Sequence, residues 1–214
     1  MHKRTLLLTC GTAMLATAAT IYATQSNSFS LKDPKGVNAI TFVCDSPFEP
    51  IMGSANGIDG TINFDPAKPE ASTGKLVLEA SSIKTTHANM AEHMMGDEWL
   101  APKENPNVTF EITKINEATK TGDNTFLLKA TGKFTLKGVS EDKDIEIKVT
   151  YSPGRLGERN RGAEGDLLGF RTQFTFDRTK FKVGPDYPVI GKEVQVQVAL
   201  AAFRPKGGES FISD

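Results

Sequence analysis

Few residues in this chain are of types that do covalent or metal chemistry, and their spacing argues against it. The histidines are His2, His87 and His93. His87 and His93 stand six positions apart, so on a helix of 3.6 residues per turn they leave different faces. No His/Cys/Asp group has zinc-ligand spacing, and no Gly-x-Ser-x-Gly turn or phosphate-cradling glycine loop occurs. Asp97 and Glu98 adjoin Trp99, but neighbouring carboxylates in a loop are ordinarily solvated. His93 reads as a hydrogen-bonded structural residue before it reads as a base or ligand. Cys44 shares the alternation of Ile40 and Phe42, which suits a small buried hydrophobe better than a reactive thiol. No residue is assigned to catalysis, no metal site is expected, and the expected protein is not an enzyme.

The informative pattern is alternation. In Glu193-Val194-Gln195-Val196-Gln197-Val198-Ala199-Leu200 the valines and Leu200 share one face, and the glutamines with Glu193 share the other. Seven more stretches behave this way: Ala39 to Cys44, Gly53 to Phe64, Thr73 to Ser81, Asn107 to Glu117, Asn124 to Leu136, Ile145 to Tyr151 and Leu168 to Phe176. Sheets wet on one side must hide the other, and closure does so without leaving edges. The expected fold is therefore all-β: an eight-stranded antiparallel up-and-down barrel. A short helical insertion is expected at Ala88 to Met95, placing Met90 and Met94 on one face. Ser152 to Gly165 carries four glycines among Arg155, Arg159 and Arg161, and reads as a mobile solvated loop.

Eight strands enclose an interior that side chains just fill, or one that holds a single small ligand. The inward rows mix large residues (Phe42, Phe64, Phe110, Phe126, Phe134, Phe170, Phe174) with small ones (Gly60, Ala80, Ala130, Gly132, Ala202). Small inward residues either leave volume for a guest or let their neighbours interlock, and both readings stay open at this point. Almost no charge falls on these rows, so a guest must be apolar. Ten buried methylenes would contribute about 8 kcal/mol by transfer, before the costs of binding.

The chain has 214 residues and a formal charge of −1, a size suited to one barrel domain and a charge that argues against nucleic-acid binding. Residues 1–23 open with Lys3-Arg4, continue apolar and end in small residues, the order of a secretory signal peptide. The expected organisation is a signal peptide at 1–23, an N-terminal extension at 24–38, the barrel at 39–204 and a tail at 205–214. Periplasmic or secreted localisation follows. With one cysteine after the signal, the fold must hold without an internal disulfide.

Several blocks together resemble the YceI-like family. They are Ser82-Ile83-Lys84-Thr85, His93-Met94, Trp99-Leu100, Asn105-Pro106-Asn107-Val108-Thr109-Phe110, Gly132-Lys133-Phe134-Thr135-Leu136-Lys137-Gly138-Val139 and Ile190-Gly191-Lys192-Glu193-Val194. The resemblance spans Ala39 to Phe203 and implies a lipocalin-like barrel, exported, enclosing a polyisoprenoid or isoprenoid quinone, and often dimeric. Where many members carry an Arg-Asp pair before the histidine, this chain has Met90-Ala91. The expected function is non-enzymatic binding, transport or storage of an isoprenoid lipid, with no required cofactor. The seven phenylalanines would form the wall, Met90, Met94 and Trp99 would stand at the mouth, and any headgroup would stay near that mouth. Expected partners are the lipid, a second copy of the chain and a transient membrane or membrane-protein contact. The alternatives are an interaction protein with a filled barrel meeting a membrane redox complex through its outer surface or Gly/Arg-rich loop, and a lipid-modifying enzyme using His93.

Overall fold

Eight antiparallel staves close into a barrel, and the first three are each interrupted once. The computed structural model describes residues 27–48 and 50–207. The first stave is β1 (Ser28–Ser30) and β2 (Ala39–Cys44), the second β3 (Ile51–Ala55) and β4 (Ile58–Asn63), and the third β5 (Thr73–Glu79) and β6 (Lys84–Thr85). The remaining five are β7 (Asn107–Gly122), β8 (Thr125–Leu136), β9 (Val139–Ser152), β10 (Gly165–Asp177) and β11 (Glu193–Pro205). A helix, α1 (Ala88–Met94), separates β6 from β7, and α2 (Leu156–Arg159) separates β9 from β10. Closure rests on β1, which pairs with β4 on one side and with β11 through Ser30 and Phe203 on the other. With β1 in place, every interior strand edge in the lower barrel finds a partner.

Two features at the ends of the barrel depart from the alternation. Ser28–Ser30 belongs to the stretch expected to precede the barrel, yet it pairs into the wall and buries Phe29 and Leu31. A three-residue strand is too short to show a period of two. The break between β1 and β2 is held by Asn38, whose amide donates to Leu31 O and Ala201 O and accepts from Ala201 N. At the opposite end β6 pairs only with β3, so the wall there is completed by α1 and the chain following it rather than by β7.

Ser152 to Gly165 is not the solvated loop its glycines and arginines suggest. Leu156 at the start of α2 is 0% exposed, and Arg159 forms an ion pair with Asp33 at 2.6 Å while lying over the Phe203 ring. One apolar side chain and one long-range ion pair tie the segment to the barrel. The expected signal peptide at residues 1–23 and residues 208–214 of the expected tail lie outside the described residues.

Candidate functional site

The inward rows leave a cavity of about 230 Å³ along the barrel. On β11 it is lined by Val194, Val196, Val198 and Leu200, and on β10 by Phe170, Thr172, Phe174 and Phe176. Six residue steps at about 3.3 Å span roughly 20 Å along a strand, or about 15 Å along the axis of a barrel whose strands tilt by about 40°, which makes the cavity a tunnel. Its wall is almost wholly hydrocarbon.

Two glycines set its bore by letting aromatic rings lie flat against the sheet. A Cβ added at Gly53 would come within 2.5 Å of the Phe42 ring, its directly paired residue on β2. A Cβ at Gly132 would collide with the Phe110 ring and sit 3.0 Å from the Glu111 carbonyl oxygen. Both rings therefore occupy space that only glycine provides. Gly60, Ala80, Ala130 and Ala202, read above as possible sources of volume, do not line the tunnel either. The alanines are fully packed, and Gly60 is required by its positive φ of 127°. Small residues here let neighbours interlock, while the lumen comes from the diameter of the barrel itself.

Of the seven phenylalanines expected on the wall, Phe42, Phe64, Phe110, Phe134, Phe170 and Phe174 line the tunnel. Phe126 does not. It faces inward near the start of β8, where the barrel is already closing, and packs edge-on against Phe64 at 5.3 Å as part of the floor. Phe29 and Tyr151 extend that floor. Beneath it Arg204, stacked over Phe29, donates to Asp166, which also accepts from Tyr151 and from the Gly154 N–H at 2.7 Å. Burial alone would push the Asp166 carboxyl up, but these donors and the Arg204 charge hold it below the ordinary 3.8.

The expected mouth residues do meet at the other end. Met94 and Trp99 line both the tunnel and an outer vestibule, and Met90 lines the vestibule only, with His87, His93, Phe48 and Val189. The apolar rim is open to solvent: Phe48 is 82% exposed and Val189 60%. Trp99 packs on Tyr187 at 5.1 Å, whose hydroxyl donates to Glu98 at 2.7 Å. The adjacent carboxylates thus hold the mouth together at Glu98. His93 is exposed on α1 rather than built into the structure, because α1 turns Met94 inward and leaves His93 outside.

Arg178 was missed, although it continues the period-two row Phe170, Thr172, Phe174, Phe176. It is 3% exposed and lies under Trp99 at 5.5 Å. Its five N–H groups donate to the carbonyls of Val183, Gly184, Tyr187, Ile190 and Gly191, so one guanidinium folds residues 183–191 across the barrel end. The Cys44 thiol donates to the Gly191 carbonyl at 3.0 Å, and burial pushes its pKa up although Arg178 pulls it down. Cys44 is the small buried residue expected from its row. Among the described residues no group of three or more His, Cys, Asp or Glu side chains could hold a metal ion.

A closed antiparallel barrel around an apolar tunnel, entered past a short helix, defines a lipocalin-like barrel protein. The YceI-like domain model matches residues 33–202, and the chain belongs to that family. A UPF0312 protein of Pectobacterium atrosepticum is 27% identical over 208 residues, covering 96% of this chain and all of the relative. Another from Pseudomonas paraeruginosa is 28% identical over 154 residues, covering 72% of this chain and 74% of the relative. Among solved structures, Burkholderia cenocepacia BcnA superposes with a TM-score of 0.61 at 22% identity, over 77% of this chain and 96% of that one. A polyisoprenoid binding domain from Saccharophagus degradans superposes at 0.59 and 12% identity, over 84% of this chain and 99% of that one. At these identities the structural matches establish the shared fold.

Proposed function

We propose that this protein binds a single isoprenoid chain, a polyisoprenoid or the tail of an isoprenoid quinone, and carries or stores it without chemical change. The observation that carries this reading is the unbroken hydrocarbon wall running from Trp99 to Phe64 with an open bore. A tail inside exchanges water for methyl and aromatic contacts at roughly 0.8 kcal/mol per buried CH₂. Family membership and the neighbouring polyisoprenoid binding domain support a lipid guest. Loading would take place at a membrane, with Phe48 and Val189 around the mouth meeting the bilayer as apolar and aromatic anchors do. Export by the basic-apolar leader would place the protein in the periplasm or outside the cell. Pairing of two copies is part of the same reading and is checked by the molar mass in solution from light scattering.

Protein purified from its own host should carry a stoichiometric isoprenoid, recovered by solvent extraction and seen as a mass increment under native mass spectrometry. Emptied protein should take up isoprenoids and change the emission of Trp99, the one tryptophan of the chain. Recovery of no lipid, together with refusal of added isoprenoids, would sink the proposal.

A further inference from the structure

The two ends of the tunnel differ. At the mouth Phe48 and Val189 stand open to solvent, and the vestibule continues the tunnel outward past Met94 and Trp99. At the opposite end Phe29, Phe64 and Phe126 are buried, and the lining stops short of Phe29, Phe126 and Tyr151. Phe126 sets its edge against Phe64 at 5.3 Å, while Tyr151 lies 6.4 Å from Phe64 and 6.3 Å from Phe29. Arg204 backs these rings from below. It lies over Phe29 at 4.7 Å, donates to the Tyr151 hydroxyl at 3.1 Å and forms a largely buried ion pair with Asp166. Opening the floor would strip that pair, so the stop is a fixed one.

Register gives Phe126 its place. It pairs with Val149, and Phe170 and Leu200 continue the same row across β10 and β11. Those three line the tunnel and Phe126 does not, so its ring, set against Phe64, crosses the end of the lumen. Below it β8 has only Thr125. A length follows from this stop. Three bonds of an extended chain advance about 3.5 Å, so the four chain bonds of a prenyl unit advance roughly 4.7 Å. A tunnel of about 15 Å along its axis therefore holds about three units. A methylene inside is buried on every side and contributes roughly fourfold in affinity, whereas one in the vestibule keeps water on one side.

We infer that Phe126 is a specificity residue for chain length: it stops the far end of the guest, so that about three prenyl units are held in the tunnel and later units lie in the vestibule. The hydrocarbon end goes in first, because Phe64, Val149, Phe170 and Leu200 offer a polar end nothing at that depth. The inference rests on the lipid-binding reading above and names the length of isoprenoid that the site reads. Phe126→Ala removes a six-carbon ring, close in size to a five-carbon prenyl unit, and so deepens the tunnel by about one unit.

The test measures Kd of emptied protein for geraniol, farnesol and geranylgeraniol, prenols of two, three and four units, from the emission of Trp99, with native mass spectrometry confirming one bound molecule. Wild type should gain about tenfold or more from geraniol to farnesol, and less than about threefold from farnesol to geranylgeraniol. Phe126→Ala should gain about tenfold or more at the second step as well, its added space taking the fourth unit. Leu128, one inward step above Phe126, lines the tunnel, and Leu128→Phe should abolish the first gain by filling the lumen just above the floor. That variant tests the inference in the opposite direction, and does so even if Phe126→Ala fails to fold. Equal gains at both steps in wild type would overturn the inference while leaving lipid binding intact. So would a second step unchanged in folded Phe126→Ala, or a first step unchanged in Leu128→Phe. Failure of wild type to bind any of the three prenols would remove the lipid-binding reading itself, and the inference with it.

Discussion

Substituting Gly132 by alanine tests whether the bore is set by rings lying on glycine. The new methyl would collide with Cζ and Cε1 of Phe110, and carbon atoms in contact need about 3.5–4.0 Å. The ring must therefore retreat by roughly 1 Å or more, and the sheet behind it leaves the lumen as the free direction. Overpacking of this kind costs about 1–3 kcal/mol. Removing a glycine also restricts the unfolded chain, which returns roughly 0.4–1 kcal/mol where the backbone suits alanine. The mid-values of those two ranges leave a net loss of about 1.3 kcal/mol in urea unfolding. Because Phe110 faces Phe174 at 6.2 Å, its shift also narrows the tunnel midway, so isoprenoid affinity should fall with stability. Adding Phe110→Leu removes the colliding ring atoms and should restore much of both. Wild-type stability and affinity in Gly132→Ala would refute the reasoning, as would a loss that Phe110→Leu leaves untouched.

Arg178→Met should cost about 3–5 kcal/mol, since it abandons five carbonyls that one guanidinium now satisfies. Urea unfolding measures the loss, and limited proteolysis should cut within 183–191 far faster; a loss below about 1 kcal/mol would contradict the assigned role. Asp166 and Asp33 both titrate below the ordinary 3.8 when folded, burial being outweighed at each by its donors and its arginine. Their contribution is complete above the unfolded value and is lost as pH falls from about 4 toward the lower folded values, so stability should drop in that window. Asp166→Asn should flatten part of that drop, and an unchanged acid limb would count against it. Cys44, buried with a raised thiol pKa, should react with a disulfide reagent only after unfolding. Rapid labelling of native protein would place the thiol outside the core.

The all-β barrel, the inward faces of its staves and a short helix within Ala88 to Met95 were legible in the residues; the place of that helix over the mouth was not. Alternation is a local property of period two, and it survives whatever the neighbouring strand turns out to be. Depth along the barrel axis is not local. Phe126 and Phe134 occupy equivalent places in the pattern of β8, yet one is floor and the other is wall, because register with β9 and β7 sets their height. For the same reason the contact of the Phe110 ring with Gly132, diagonal across the β7–β8 pair, and that of Phe42 with its partner Gly53 could not be read from either residue alone.

Other parts of the site needed tertiary contacts outright. Arg178 continues an inward row of β10, and only when residues 183–191 fold over it do five carbonyls converge on one guanidinium. Leu156 reads as part of a solvated loop until Asp33 captures Arg159. The amino-acid order determines which side chains face inward, since a strand reverses direction at each residue. Which inward side chains bound an open tunnel is decided by distances between segments far apart in the chain, and those exist only once the barrel has closed.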